Sequence, residues 1–429
     1  MRPIGFKTIN NEAYLNNYKL SDLAKQYGTP LYVMDDLHLR NTLDEFKNYF
    51  KGNTFTPYIV YASKAFMTPY ICKLMSEYNN YMDSVSIGDL YVAKYSGFNM
   101  EHIVFHGNNK SLEELHYAID EGVGIIVVDN LFELNLLDEI LIQKNKKQDI
   151  LIRINPGIDA HTHKYIQTAK LSSKFGESIY DEEIIDKLIK KVKTSENLNL
   201  LGFHAHIGSQ IHESRAFTTE IDKMVAFQID ISTRYDIRLT TLNLGGGFGI
   251  KYTKEEQNVE IKDMMTIMSD HLDKVLKNQK IIKNIMIEPG RSIVGPAGIT
   301  LYNCSQIKKT YGGKNYLFID GGMTDNIRPA LYEAVYECDI VNKMENNKEI
   351  LVDVVGKCCE SGDIIRQNVK VPQIDNNDIL VVYSTGAYNH SMSSNYNNHL
   401  KPAVISVGKS VELVSRREKL EDLCKLFNK

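Results

Sequence analysis

Short apolar runs rich in Ile, Val and Tyr recur along the first two thirds of the chain, at 58–62 (YIVYA), 81–85 (YMDSV), 103–105 (IVF), 124–128 (GIIVV), 150–154 (ILIRI), 200–205 (LLGFHA), 241–244 (TLNL) and 285–287 (IMI). Runs this short and this β-branched read as buried strands. Between them lie stretches with helical spacing, among them 68–78, 111–121, 131–144, 181–193, 216–234 and 258–278. Strand and helix alternating over about 230 residues imply an α/β protein with a parallel sheet, and eight repeats are the number that closes a (β/α)8 TIM-like barrel. A doubly wound open sheet is the alternative. Upstream, Ser21 followed by DLAKQYG reads as a capped helix ending at Gly28, and LYVMD at 31–35 as a strand leading into the barrel. After Pro296 the pattern changes to short strand-like runs split by Gly, Asn and Asp (TLYNCSQIKKTY, YLFIDGG, EILVDVVG, QNVKVPQI, DILVVYSTGAY, AVISVG), with no helix expected before the last dozen residues. The pattern therefore predicts a barrel over 31–296 and a C-terminal all-β domain, sandwich or barrel, over 297–429, with residues 1–30 joining the latter.

Composition narrows the class. Of 429 residues, 43% are apolar and 24% charged, which suits a globular protein with a sizeable core. Fifty basic against 54 acidic side chains leave a net charge of -4, with no long basic field to attract nucleic acid. The opening MRPIGFKTINNEAYL lacks the apolar core of a signal peptide, and no stretch approaches 18 apolar residues. A cytoplasmic location away from membranes is expected. The cysteines at 72, 304, 338, 358, 359 and 424 show no CxxC spacing, so reduced thiols are expected, with neither a disulfide nor a metal site.

A barrel of this kind carries its active site at the C-terminal ends of the strands, and the loops after strands seven and eight commonly grip phosphate. Lys64 follows strand one, His106 strand three, Asn155 strand five, His206 strand six, Gly245 to Gly247 strand seven and Glu288 to Arg291 strand eight, so polar groups gather on one face. A lysine partly desolvated at a strand end has a lowered pKa and can condense with a carbonyl; a solvated surface charge is the plain alternative. The glycines of LNLGGGFGI let backbone N–H groups approach a phosphate, although they do not supply GxGxxG and a tight turn would also explain them. Glu288 opens EPGRSIV. Opposite a pyridine ring it would hold the ring nitrogen protonated; otherwise it is a structural ion-pair partner. His206, in HAHIGSQ, offers a stacking face to a planar cofactor, with Ser209 nearby as a phosphate donor, or is a satisfied core histidine.

Eight motifs then resemble one family. SKAF with Lys64, FHGNNKS (105–111), HIGSQI (206–211), GGGFG (245–249), EPGR (288–291), DGGMTDNIRPALY (320–332), CESGD (359–363) and GAY (386–388) are similar, in order and over essentially the whole chain, to diaminopimelate decarboxylases. These belong to the barrel-type, alanine racemase-like pyridoxal-phosphate enzymes. One departure is Cys358, where the family usually has His before CESGD. The resemblance implies pyridoxal 5′-phosphate held covalently by Lys64, with His206 stacked on its ring and Glu288 on its pyridine nitrogen. Ser209, Gly247, Gly290 and Tyr388 are implied at its phosphate, with Pro289 and Arg291 in the same EPGR stretch. The resemblance further implies Arg291, Arg328 and Tyr332 on the substrate's far carboxylate, Glu360 on the amine there, and Tyr388 in the substrate pocket. Cys359 is implied as the proton donor, entering from the other subunit of a homodimer with shared active sites. The implied reaction is decarboxylation of meso-2,6-diaminopimelate to L-lysine and CO2, the last step of lysine biosynthesis. An ornithine- or arginine-like decarboxylase of the same fold is one rival, but its substrate's terminal cation calls for an acidic distal residue, and Arg328 in DNIRP has the opposite charge. A racemase is disfavoured because Glu288 favours full stabilisation of a carbanion. The other rival is an inactive regulatory homologue, against which the joint presence of Lys64, Cys359 and Glu360 argues.

Overall fold

The structure is a computed structural model that describes residues 1–158, 173–256 and 260–428. It divides into two compact units, Leu43–Gly249 with Val259–Gly290, and Met1–Thr42 with Ile250–Asn258 and Arg291–Lys429.

The first unit is a closed parallel barrel. Its strands are β1 (Thr56–Ala62), β2 (Tyr81–Ser84), β3 (Ile103–Phe105), β4 (Ile125–Val128), β5 (Gln148–Asn155), β6 (Leu198–His204), β7 (Thr241–Asn243) and β8 (Asn284–Ile287). Each pairs with the next in sequence, and β8 returns to β1 with Asn284 opposite Thr56 and Ile287 opposite Ile59. All eight coincide with the apolar runs. The loops that follow several strands end in residues that start helices. Thr68, Ser86, Ser111, Asn130 and Asp181 each accept a first-turn N–H, and Ser111 with Glu114 forms a full capping box. A cluster built only from strand residues, Val60, Val104, Ile125, Val127, Leu151 and Met286, fills the interior, with Tyr58, Tyr81 and Leu201 packed against it. The barrel is therefore a packed core, and chemistry is confined to its ends.

In the second unit the long strand Gly298–Lys309 pairs antiparallel with Asn315–Ile319, Ile379–Tyr383 and Leu31–Asp35. The segment LYVMD thus belongs to this β unit and does not lead into the barrel. All five of its residues are buried, so its apolar character carried no information about which sheet would take it. The observed division, at 42/43 and 290/291 with 250–258 added to the β unit, accordingly differs from the expected limits of 31 and 296. The helix Leu20–Tyr27 ends at Gly28 as expected, but Ser21 does not cap it. The Ser21 hydroxyl turns instead to the Glu12 carboxylate. The five-residue helix Arg328–Tyr332 lies where only strands were expected. Before it all, Phe6–Ile9, Glu12–Leu15 and Tyr18–Lys19 form a small meander. Its turns are the Asn pairs 10/11 and 16/17, all at positive φ (49°, 67°, 48° and 76°), the conformation that two-residue hairpins require. Among the described residues no helix is long and apolar enough to cross a membrane.

One buried ion pair ties the β3 loop to the helix after β4. Lys110 Nζ lies 2.7 Å from Glu133 Oε1 and also donates to the carbonyls of Gly107 and Val127. The two side chains are 1% and 4% exposed. Lys110→Met should leave the Glu133 carboxylate buried and unpaired, destabilising the barrel by about 3–5 kcal/mol. A urea unfolding midpoint that does not move would show that the pair contributes nothing net.

Candidate active site

Lys64 occupies the middle of a single 3-10 turn, Ser63–Ala65, directly after β1. Its Nζ is 3.9 Å from Asp83 Oδ2, and its side chain is 45% exposed, so proximity to a carboxylate distinguishes it more than the expected desolvation. Asp83 is held from below by the Ser63 backbone N–H (2.9 Å) and hydroxyl (3.3 Å). Burial pushes its pKa up, while Lys64 and His106 oppose that push.

Glu288 follows β8 and is buried. Asn243 Nδ2 donates to its Oε1 at 2.7 Å, His106 Nε2 lies 2.9 Å from the same oxygen, and His204 Nε2 lies 3.2 Å from Oε2. Burial alone would raise its pKa, but these neighbours hold it well below the usual carboxylate range. His204 is itself pushed down to about 4 by burial, so it serves Glu288 as a neutral N–H donor. The trio His106, His204 and Glu288 also has the spacing of a metal cluster.

Backbone packing draws the remaining barrel residues to the same end. Ala62 N–H donates to Pro289 O at 3.1 Å, and a Cβ on Gly290 would meet the Ala62 side chain at 2.6 Å. The loop containing Ser209 zips to the glycine loop through Ile211 N–H to Gly247 O (2.9 Å) and Gly249 N–H to Ile211 O (3.0 Å). Gly247 has φ 108°, and a Cβ there would lie 2.3 Å from Gly208 O, so only glycine fits. Gly246 N–H donates to His206 Nδ1 at 3.1 Å, which places that ring's proton on Nε2. Burial, followed by the Lys64 and Arg153 charges, pushes His206 well below its ordinary pKa and keeps it neutral.

The β unit assembles a second cluster. Arg291 and Arg328 are both 7% exposed. Their guanidinium carbons lie 4.7 and 5.5 Å from the ring centre of Tyr388, and each lies 5.9 Å from that of Tyr252. Arg328 is also 5.4 Å from the Tyr332 ring. Tyr388 sits at φ 64°, an unusual conformation for an aromatic residue and one that marks functional sites. Cys359 and Glu360 occupy another loop of this unit, and both are exposed. Cys359 N–H donates to Asn397 Oδ1 (2.8 Å), and the Tyr396 hydroxyl donates to Glu360 Oε1 (2.6 Å). Cys358 is buried beside Asp363, and burial pushes its thiol up to about 11.

The sequence-predicted residues therefore fall into three groups. Lys64, His206, Ser209, Gly247, Glu288, Pro289 and Gly290 share the barrel end, Arg291, Arg328, Tyr332 and Tyr388 form the cationic cluster, and Cys359 with Glu360 forms the loop pair. Sequence reasoning missed Asp83, Arg153, His204 and Asn243. Arg153 is a guanidinium 4.5 Å from the Phe175 ring centre. The signal for all four was a polar residue near the end of an apolar strand run. Tyr252, Tyr336, Tyr396 and Asn397 carried no such signal.

Comparison with known proteins fits this layout. Residues 38–295 match the family model for the pyridoxal binding domain of pyridoxal-dependent decarboxylases. The diaminopimelate decarboxylase of Bacillus subtilis is 41% identical over 413 residues, covering 94% of this chain and 92% of that protein. That of Staphylococcus aureus is 41% identical over 412 residues, covering 95% and 96%. The crystal structure of diaminopimelate decarboxylase from M. jannaschii in complex with L-lysine superposes with a TM-score of 0.92 at 31% identity, covering 99% of this chain and 98% of that one. Motifs, barrel and near full-length identity agree, and the chain belongs to the diaminopimelate decarboxylase family of pyridoxal-dependent decarboxylases.

Proposed function

We propose that this chain decarboxylates meso-2,6-diaminopimelate to L-lysine and CO2 with pyridoxal 5′-phosphate as cofactor. The observation that carries the reading is Glu288, a buried carboxylate that its imidazole neighbours hold ionised at the barrel end that also presents Lys64. A protonated pyridine nitrogen is the cation such a carboxylate accepts, and Gly247 carries no Cβ to keep a phosphate from its backbone N–H. The barrel residues therefore fit the group. When bound, pyridoxal phosphate supplies the electron sink that accepts the pair left at Cα as CO2 departs.

Each side chain has a part. Lys64 would hold the cofactor through its amine, beside Asp83. Glu288 keeps the ring nitrogen protonated, and His206 offers a neutral ring face. Ser209, Gly247, Gly290 and Tyr388 are assigned to the phosphate, with Pro289 and Arg291 also assigned to cofactor binding. Arg291, Arg328 and Tyr332, with Tyr388, take the distal carboxylate of the substrate, and Glu360 takes the amine beside it. Cys359 delivers a proton to Cα and comes from the second subunit of a homodimer. The enzyme is assigned to the cytoplasm, which its six free cysteines suit. Against an ornithine- or arginine-like activity stands Arg328, which among the described residues has no carboxylate partner and would repel a substrate ending in a cation.

Three outcomes test this. Borohydride reduction of the purified holoenzyme should abolish its visible cofactor band and fix the label on Lys64; a label on another lysine in peptide mapping overturns the assignment. Arg328→Ala removes a charge-assisted contact and should lower diaminopimelate turnover by roughly 30-fold to 1000-fold while cofactor binding persists. Unchanged turnover reopens the ornithine-like activity, and an absence of CO2 release from any diamino acid by the wild type favours the regulatory homologue. For the shared site, Lys64→Ala and Cys359→Ala homodimers should each be nearly inactive. Mixed dimers regain one intact site, so random exchange of equal amounts should restore roughly a quarter of wild-type activity. Confirmed mixed dimers that stay inactive would place Cys359 within its own chain or remove it as the donor.

A further inference from the structure

Two phenol oxygens with no role so far touch the arginine pair. Arg291 Nη1 donates to the Tyr252 hydroxyl at 2.6 Å, and Arg328 Nε donates to the Tyr336 hydroxyl at 2.8 Å. Tyr336 is fully buried and Tyr252 is 6% exposed. Their rings meet edge to face, with centres 5.3 Å apart and planes at 85°, so the two phenols form one block.

A guanidinium is a planar fork with five N–H donors. When Nε of Arg328 is spent on Tyr336, the outer pair of nitrogens remains for a two-pronged contact with a carboxylate. The acceptor's identity then matters. A carboxylate in place of either phenol would orient the fork equally well, but it would cancel the charge and compete with the incoming anion. A neutral phenol orients without cancelling. The rings of Tyr252, Tyr332 and Tyr388 do the same through their faces.

We propose that Tyr252 and Tyr336 are positioning residues that set the orientation of Arg291 and Arg328 while leaving the charge of the cluster available to an α-amino carboxylate, so that they determine specificity for substrates ending in one. The proposal rests on the reading of Arg291 and Arg328 as the distal-carboxylate clamp. On that reading the oxygens serve the end of the substrate that keeps its carboxylate, so their removal weakens binding of the distal end and leaves the chemical step intact.

Tyr336→Phe and Tyr252→Phe keep each ring and remove only the oxygen. In the holoenzyme, three constants are measured for each: KM for meso-diaminopimelate, and the inhibition constants of L-lysine, which keeps the distal carboxylate, and of 1,5-diaminopentane, which lacks it. The expected result is a rise of about tenfold in both KM and the L-lysine constant. The 1,5-diaminopentane constant should stay the same, kcat should change by less than about twofold, and the cofactor spectrum should be unaltered. Parallel weakening of both inhibitors would mean that the phenols only support the fold, and overturns the proposal. So does an unchanged L-lysine constant in both variants while Arg328→Ala loses it, since the clamp would then stand without the phenols. If Arg328→Ala also leaves L-lysine binding unchanged, the clamp assignment itself fails, and the proposal fails with it. Should Tyr336→Phe not fold, Tyr252→Phe alone decides between these outcomes.

Discussion

A carboxylate buried in a protein interior costs several kcal/mol unless donors surround it, and Glu288 draws its donors from three other strand ends of the barrel. His106 follows β3, His204 ends β6 and Asn243 ends β7, while Glu288 itself follows β8. None of these residues is near Glu288 in sequence except through closure of the sheet. The pairing of β8 with β7 and β1 is therefore a condition of the local chemistry as well as of the fold. A barrel that failed to close would leave an acid with a raised pKa, unable to keep a ring nitrogen charged.

The same requirement accounts for the glycine run. Glu288 N–H donates to Gly245 O at 2.6 Å, and a Cβ on Gly246 would lie 2.0 Å from Glu288 O. Gly245, at φ 62°, would place a Cβ 2.4 Å from Ala205 O. Two of the three glycines are thus demanded by how closely the β7 loop passes the ends of β6 and β8. Gly247, at φ 108° with Gly208 O 2.3 Å from where a Cβ would sit, is demanded in the same way by the loop of Ser209. Close passage of the chain accounts for all three glycines, and an approach of Gly247 to a phosphate belongs to the proposed function.

What could be read from the chain follows the same division between local and distant causes. All eight barrel strands were legible because a buried parallel strand must be apolar on both faces, and the runs are bounded by helix-starting residues. LYVMD was misplaced because an apolar run reports burial but not partners. The Asn pairs 10/11 and 16/17 were a local hairpin signal left unread. Arg328–Tyr332 has only five residues, too short for helical spacing to show. In the site, Lys64 and Glu288 stood out because each follows its strand. Asp83, His204 and Asn243 lie inside apolar strand runs, and their orientation toward Lys64 or Glu288 depends on register across neighbouring strands. Tyr252 and Tyr336 are two of 25 tyrosines, and nothing local separates them from the rest.

The two charged centres solve one problem in opposite senses. In the barrel unit, the Glu288 anion is met by the Asn243 amide and by the Nε2 atoms of His106 and His204. In the β unit, guanidiniums meet neutral phenol oxygens and aromatic faces. A counter-ion in either place would satisfy the buried group more cheaply, and it would also consume the charge. A neutral partner such as the Tyr336 hydroxyl fixes the orientation of a guanidinium without consuming its charge. A cationic ring nitrogen suits the first and a carboxylate suits the second. On the proposed reading, a substrate ending in an ammonium group would meet like charge at Arg328, which has no carboxylate partner among the described residues, and that repulsion would separate a diamino diacid from a substrate ending in a cation.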